Sequence, residues 1–167
     1  MQAGRICGSQ LEAPAGEPPY PPQLDHGPLT VLLPDVAWCV EAWFALAPVA
    51  RMLRTMTVVR CNGELSIFNS IRVDDDTLNA IAALGTVRHV VKLGFGHGSD
   101  DAWYLSLFRN AEYWTHDNFV SSRPSVTPAH VLAEGTPGPL GIQPIVFHDA
   151  TKVSARRHLC HTIHTLY

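Results

Sequence analysis

Residues 86–116 read TVRHVVKLGFGHGSDDAWYLSLFRNAEYWTH, and this stretch decides the fold. Val87, Val90, Val91 and Leu93 give the dense apolar pattern of a buried strand over Val87–Leu93. The turn that follows, Gly94-Phe95-Gly96-His97-Gly98-Ser99-Asp100-Asp101, concentrates imidazole, hydroxyl and carboxylate groups. Ser99 or Asp100 is placed to cap a short helix running to Leu107, with Trp103, Tyr104, Leu107 and Phe108 available for packing. Ala111–Thr115 then reads as a further strand. Loops at the carboxyl ends of such strands are free to vary on a rigid frame, so ligand-binding groups gather there.

Working upstream, Thr77–Leu84 has one apolar face formed by Leu78, Ile81, Ala82 and Leu84. Asp74-Asp75-Asp76 precede it, where a carboxylate caps free N–H groups and complements the helix dipole. Helix capping in a solvated loop is the expectation for this acidic triplet, in preference to cation binding. Gly85 sits where a left-handed cap belongs. Strand, capped helix, strand is the βαβ-like order of a layered α/β fold.

Further upstream, Met56–Cys61 and Glu64–Asn69 flank Asn62-Gly63. Asn-Gly suits the positive φ angles of a two-residue type I′ turn, so a hairpin is predicted. Leu29–Leu33 and Val36–Ala42 read as strands broken at Pro34-Asp35, with Trp38 and Trp43 as packing residues. Ala45–Arg54, containing Pro48 and two arginines, reads as a loop or a single helical turn. Residues 1–28 are dense in Pro and Gly and poor in large apolar side chains, which predicts a leader without fixed structure.

Composition narrows the class. The chain has 167 residues, enough for one domain with a real core; 46% are hydrophobic and 16% charged. A net charge of −3 supplies no basic footprint for nucleic acid. Four scattered cysteines form no CxxC pair, which speaks against a zinc ribbon or disulfide scaffold and fits a reducing cytoplasm. No apolar run approaches the roughly 18 residues of a spanning helix, so no membrane partner is expected.

The segments MTVVRCNGELSIFNSIRVDDDTLNAIAALGTVRHVVKLG, GHGSDDAWYLSLF and AEYWT together resemble the first half of a metallo-β-lactamase-fold protein, over about Leu29–His116. The resemblance implies part of an αββα sandwich: a mixed sheet with short flanking helices. Members of that family are usually metal-dependent hydrolases whose metal loop reads HxHxDH. Such a loop sets imidazole and carboxylate donors around one or two zinc ions, and bound water then ionises near pH 7. Here the motif is degenerate. In one register its leading histidines fall on Gly94 and Gly96; in the other they fall on Gly96 and Gly98, and Asp101 replaces the histidine after Asp100. What remains as a candidate metal set is His97, Asp100 and Asp101, with zinc as the metal the resemblance implies.

Two readings stand open. One is a non-catalytic or weakly active metallo-β-lactamase-like protein of unknown ligand. The other is a metal-dependent hydrolase that activates water at the loop after Val87–Leu93. The second half of the chain favours the first. Ser121–Gly141 is rich in Ser, Pro and Gly, with a strand expected at His130–Ala133 and another at Ile142–Asp149. His116, His130 and His148 show no ligand spacing. The expected organisation is a leader over 1–28, an incomplete first-half domain over 29–150, and a His/Arg-rich tail over 151–167. In that tail His158, Cys160, His161 and His164 cluster, and on a helix the three imidazoles share a face. A half sandwich exposes an apolar sheet face, which calls for a second copy or another partner to cover it.

Overall fold

A computed structural model describes residues 5–94, 97–116, 123–148 and 159–163. Its centre is a seven-stranded mixed sheet whose strands lie side by side in chain order. Strands β1 (Thr30–Leu33), β2 (Ala37–Ala47), β3 (Ala50–Cys61) and β4 (Glu64–Phe68) run antiparallel to one another. Strands β5 (Thr86–Val91), β6 (Glu112–Thr115) and β7 (His130–Val131) continue the sheet in parallel from β4. Helix α1 (Asp75–Leu84) links β4 to β5, and α2 (Asp101–Leu107) links β5 to β6. This is the predicted α/β class, with the βαβ units in the predicted place. Strands β8 (Pro144–His148) and β9 (Leu159–Ile163) form a separate antiparallel pair.

The Asn62-Gly63 hairpin is present. Both residues have positive φ, 51° and 80°, and Cys61 pairs with Glu64 across the turn. Helix α1 starts as its acidic triplet predicts: Asp74 accepts a hydrogen bond from the Thr77 N–H at 2.7 Å. Asp75 and Asp76 look outward, to Ser9 and Arg5 respectively. Gly85 departs from expectation. Its φ of 163° is extended backbone, not a left-handed cap. It must be glycine for another reason: a Cβ there would lie 2.4 Å from the Gly63 carbonyl oxygen.

One face of the sheet carries the principal core. Val40, Met56, Val58, Leu65, Ile67 and Val90 meet Leu78 and Ile81 of α1 and Trp103 and Tyr104 of α2. A smaller cluster of Phe68, Val91 and Leu132 lies apart from it, with Trp114 and Ile142 against it.

Three expectations need correction. Ala45–Arg54 is neither loop nor helical turn. Strands β2 and β3 run through it, pairing Trp43 with Leu53 and Phe44 with Met52, and Pro48 sits in the connecting turn. Trp38 is buried as expected, but Trp43 on this extension is 56% exposed. The leader is not free of structure over residues 5–28. Lacking regular elements, it nevertheless packs as a strap: Ile6, Leu11 and Leu24 contact the core and Tyr20 is buried in it. Polar contacts replace the ladder bonds that proline cannot make. Trp103 Nε1 donates to the Gly8 carbonyl, Tyr20 Oη lies 2.6 Å from Ser106 Oγ, and Arg123 donates to the carbonyls of Pro18 and Pro19. In the tail, the described residues 159–163 are strand. His158 and His164 lie outside the described residues, as do Phe95, Gly96 and Asp149.

Candidate functional site

The parallel half of the sheet ends its strands β4, β5 and β6 at one edge, where the polar turn follows β5. Asn69, with φ 52°, ends β4; its N–H donates to the Val91 carbonyl and its Oδ1 accepts from the Leu93 N–H. These bonds tie the ends of β4 and β5 together and fix where the turn begins. Within the turn, Gly98 has φ 91°, and a Cβ on it would stand 2.5 Å from Asp101 Oδ2 and 2.7 Å from Lys92 Cδ. Glycine is required twice there, for the backbone angle and for the close approach.

Asp100 and Asp101 are both buried, at 2% and 1% exposure. Asp100, one of the two residues expected to cap α2, occupies its N-cap position, but its side chain makes no cap hydrogen bond. It meets Arg54 of β3 instead, whose Nη2 lies 3.1 Å from Asp100 Oδ2 and also donates to the Ser70 carbonyl at 2.9 Å. Asp101 accepts twice: from Ser70 Oγ at 2.5 Å and from Tyr113 Oη at 2.7 Å. Close by, Tyr104 Oη donates to the Ile71 carbonyl at 2.9 Å. The two carboxylates therefore belong to a buried polar network that joins β3, β4, α2 and β6.

Burial pushes the carboxyl pKa of both upward. For Asp100 the Arg54 guanidinium opposes the rise, and for Asp101 the Ser70 and Tyr113 hydrogen bonds do so. Lys92 is half-buried and shifted down by burial, with Asp101 acting against the shift. His97 is shifted down by burial, then by the positive charge of Arg54, with Asp101 pulling the other way and Lys92 adding to the fall. Its Nδ1 is enclosed without a hydrogen-bond partner.

The predicted set is thus brought to one edge, with His97 within electrostatic reach of Asp101. Among the described residues, no group of three or more His, Cys, Asp and Glu side chains is arranged to hold a metal ion. His130 is elsewhere, 3.1 Å from Glu112 Oε2 and stacked on Trp114 at 4.1 Å between ring centroids. His116 is buried at the end of β6. Arg54, Ser70, Lys92 and Tyr113 were not singled out by sequence reasoning. Tyr113 was the most accessible of them, as an inward-facing position on a predicted strand. Arg54 lay in a segment read as a loop or a single helical turn.

No protein-family model matches the chain, and no curated protein matches it. Solved structures do. The metallo-β-lactamase FIM-1 from Pseudomonas aeruginosa, in its mono-zinc form, aligns with 71% of this chain and 55% of its own, at 14% identity and TM-score 0.47. Metallo-β-lactamases from Hirschia baltica and Erythrobacter litoralis align at 16% and 14% identity with TM-scores of 0.46 and 0.45. They match 71% and 69% of this chain and 57% and 51% of their own. The chain spans little more than half the length of each. No helix among the described residues is long and apolar enough to cross a membrane.

Proposed function

We propose that this chain is a metallo-β-lactamase-like domain without a working metal centre, so that its polar turn serves structure and ligand contact rather than water activation. The observation that carries this reading is the Arg54–Asp100 ion pair at 3.1 Å. A guanidinium is a permanent cation with no acceptor. Set against the carboxylate a metal would need, it repels a second cation and consumes the ligand. Both oxygens of Asp101 already accept hydrogen bonds, and Lys92 adds positive charge nearby. His97, Asp100 and Asp101 are therefore a poor fit for zinc, which takes about four donors in tetrahedral array.

The alternative is a metal-dependent hydrolase using the same three residues. It draws support from their convergence on one strand edge, where catalytic groups collect in layered α/β folds. Metal analysis of the purified protein separates the two. The expected result is folded protein with no stoichiometric zinc, unchanged in metal content by His97→Ala. One equivalent of zinc, lost in His97→Ala together with hydrolytic activity, would establish the hydrolase instead.

A further inference from the structure

We propose that two copies of this chain pair face to face through the exposed strip of the β2–β3 ribbon, with Trp43 and Leu53 at its centre. The inference goes beyond the reading above and holds whether or not the polar turn takes a metal.

Strand register fixes the strip. Across the ribbon Glu41 pairs with Thr55, Trp43 with Leu53 and Ala45 with Arg51. Directly opposed residues share a sheet face, and neighbours along a strand alternate between faces. Val40, Ala42 and Met56 turn into the principal core, so these six residues turn the other way. Thr57, in line with Leu53 and Thr55, pairs with Phe68, so the strip continues the sheet face that buries Phe68. At the ribbon end that face is bare. Trp43 is 56% and Leu53 40% exposed, and Glu41, Ala45, Arg51 and Thr55 are exposed with them. The strap pairs with the outer edge of β2 only at Glu41 and Ala42, through Gly27 and His26.

Charge selects the occupant. The strip has an acid at one end, a base at the other and the apolar pair between them. Glu41 and Ala45 are four residues apart, so Glu41 and Arg51 stand about 14 Å apart along the ribbon. They cannot meet within one chain, and neither makes an ion pair among the described residues. A two-fold axis in the plane of contact, crossing the strands at Trp43 and Leu53, reverses one strip over the other. Trp43 then faces the second copy's Trp43, and Leu53 its Leu53. Each Glu41 comes beside the other copy's Arg51, so both charges are matched twice. That is the self-complementarity an isologous contact requires. A two-fold axis along the strands would instead set Glu41 against Thr55 and leave the charges unmatched. The strip is only two strands wide, so the contact belongs to the small interfaces below about 1,200 Å², which are weak and reversible.

The test is sedimentation velocity on the full chain from about 10 μM to about 1 mM, the range of weak association, at low and high salt. The parent is expected to form a reversible dimer that salt weakens, because exposed charges are screened. Glu41→Arg sets cation against cation at both ends and is expected to weaken association about tenfold or more; Arg51→Glu does the same with two acids. The swap Glu41→Arg/Arg51→Glu restores opposite charges across the contact, and the dimer should return to within about threefold of the parent. Both sites are exposed, so every variant should melt with the parent. A parent that stays monomeric at about 1 mM overturns the proposal and leaves the strip to an unlike partner. Single reversals that associate like the parent overturn it as well, and so does a swap that associates no better than the single variants.

Discussion

At the scale of single residues, the buried network predicts unequal effects from substitutions that look alike. Arg54→Ala leaves Asp100 buried without its cation, and breaking a buried pair in this way costs about 3–5 kcal/mol. Replacing both partners by apolar residues removes charge and counter-charge together, so Arg54→Met/Asp100→Leu should unfold close to the parent in urea. If the double variant were no more stable than Arg54→Ala, the ion pair would not be the reason for the loss. Gly98→Ala faces a different penalty. It forces a side chain into φ 91° and within 2.5 Å of Asp101 Oδ2. Strain of that kind costs about 1–3 kcal/mol, and its signature should be a displaced Asp101 and a weakened bond to Tyr113. The individual residues of this edge were only partly legible in the sequence. His97, Asp100 and Asp101 stand out because carboxylate and imidazole gather in a turn after an apolar strand. Arg54 does not, because its role depends on a β2–β3 ribbon long enough to deliver it beside Ser70.

At the scale of elements, the strap over residues 5–28 is held by carboxylates whose protonation is disfavoured. Hydrogen bonds from Ser125 hold the Glu17 carboxyl below its ordinary value, and bonds from Ser9 do so for Asp75. A folded pKa below the unfolded one adds stability that is present above the unfolded value and lost as pH falls through the folded one. The strap should therefore stay docked at neutral pH and loosen below about pH 4, the ordinary carboxylate range. Hydrogen exchange at the Trp103 indole N–H, which donates to the Gly8 carbonyl, reads this directly. An indole whose protection, measured against its intrinsic exchange rate at each pH, is no lower at pH 3 than at pH 6 would show that these carboxylates do not hold the strap. Asp100 and Asp101 have the opposite sign. Their folded values are raised, so their contribution falls as pH climbs from the unfolded value through the folded one. Elements were read well where a local rule sufficed: Asn62-Gly63 dictates its hairpin, and Asp74 its cap. They were read poorly where tertiary contact decides. Pro-rich residues 5–28 look structureless because proline forgoes ladder bonds, yet arginine donors and aromatic faces hold them. Ala45–Arg54 carries few β-branched residues, and its strands persist through pairing with each other.

At the scale of the whole molecule, the exposed apolar groups gather on β1 and on the β2–β3 extension. Val31, Leu32 and Leu33 of the edge strand are exposed, as are Trp43, Met52 and Leu53 farther along. A row of unpaired edge groups beside apolar side chains invites pairing with another chain. Trp43→Ser/Leu53→Ser should shift stability by only about 0.5 kcal/mol, as exposed sites do. The same variant should reduce any concentration-dependent association seen by light scattering. Association unchanged by these substitutions would place the contact elsewhere. The overall class was the most legible level, because the alternation of strand and helix patterns between Met56 and Thr115 depends on chain-local periodicity. The partner of an exposed face is written in no such period.

The strap also sets an order of events in synthesis. Pro18 and Pro19 receive their hydrogen bonds from Arg123, more than one hundred residues later. A ribosome releases the first residues long before the arginine that clasps them exists. During that interval the amino-terminal stretch is open to proteases and to passing binders, and the Trp103 indole that donates to the Gly8 carbonyl has yet to be made. Fusing a bulky, fast-folding domain ahead of Arg5 should therefore slow closure of the native state more than the same domain placed after the final strand.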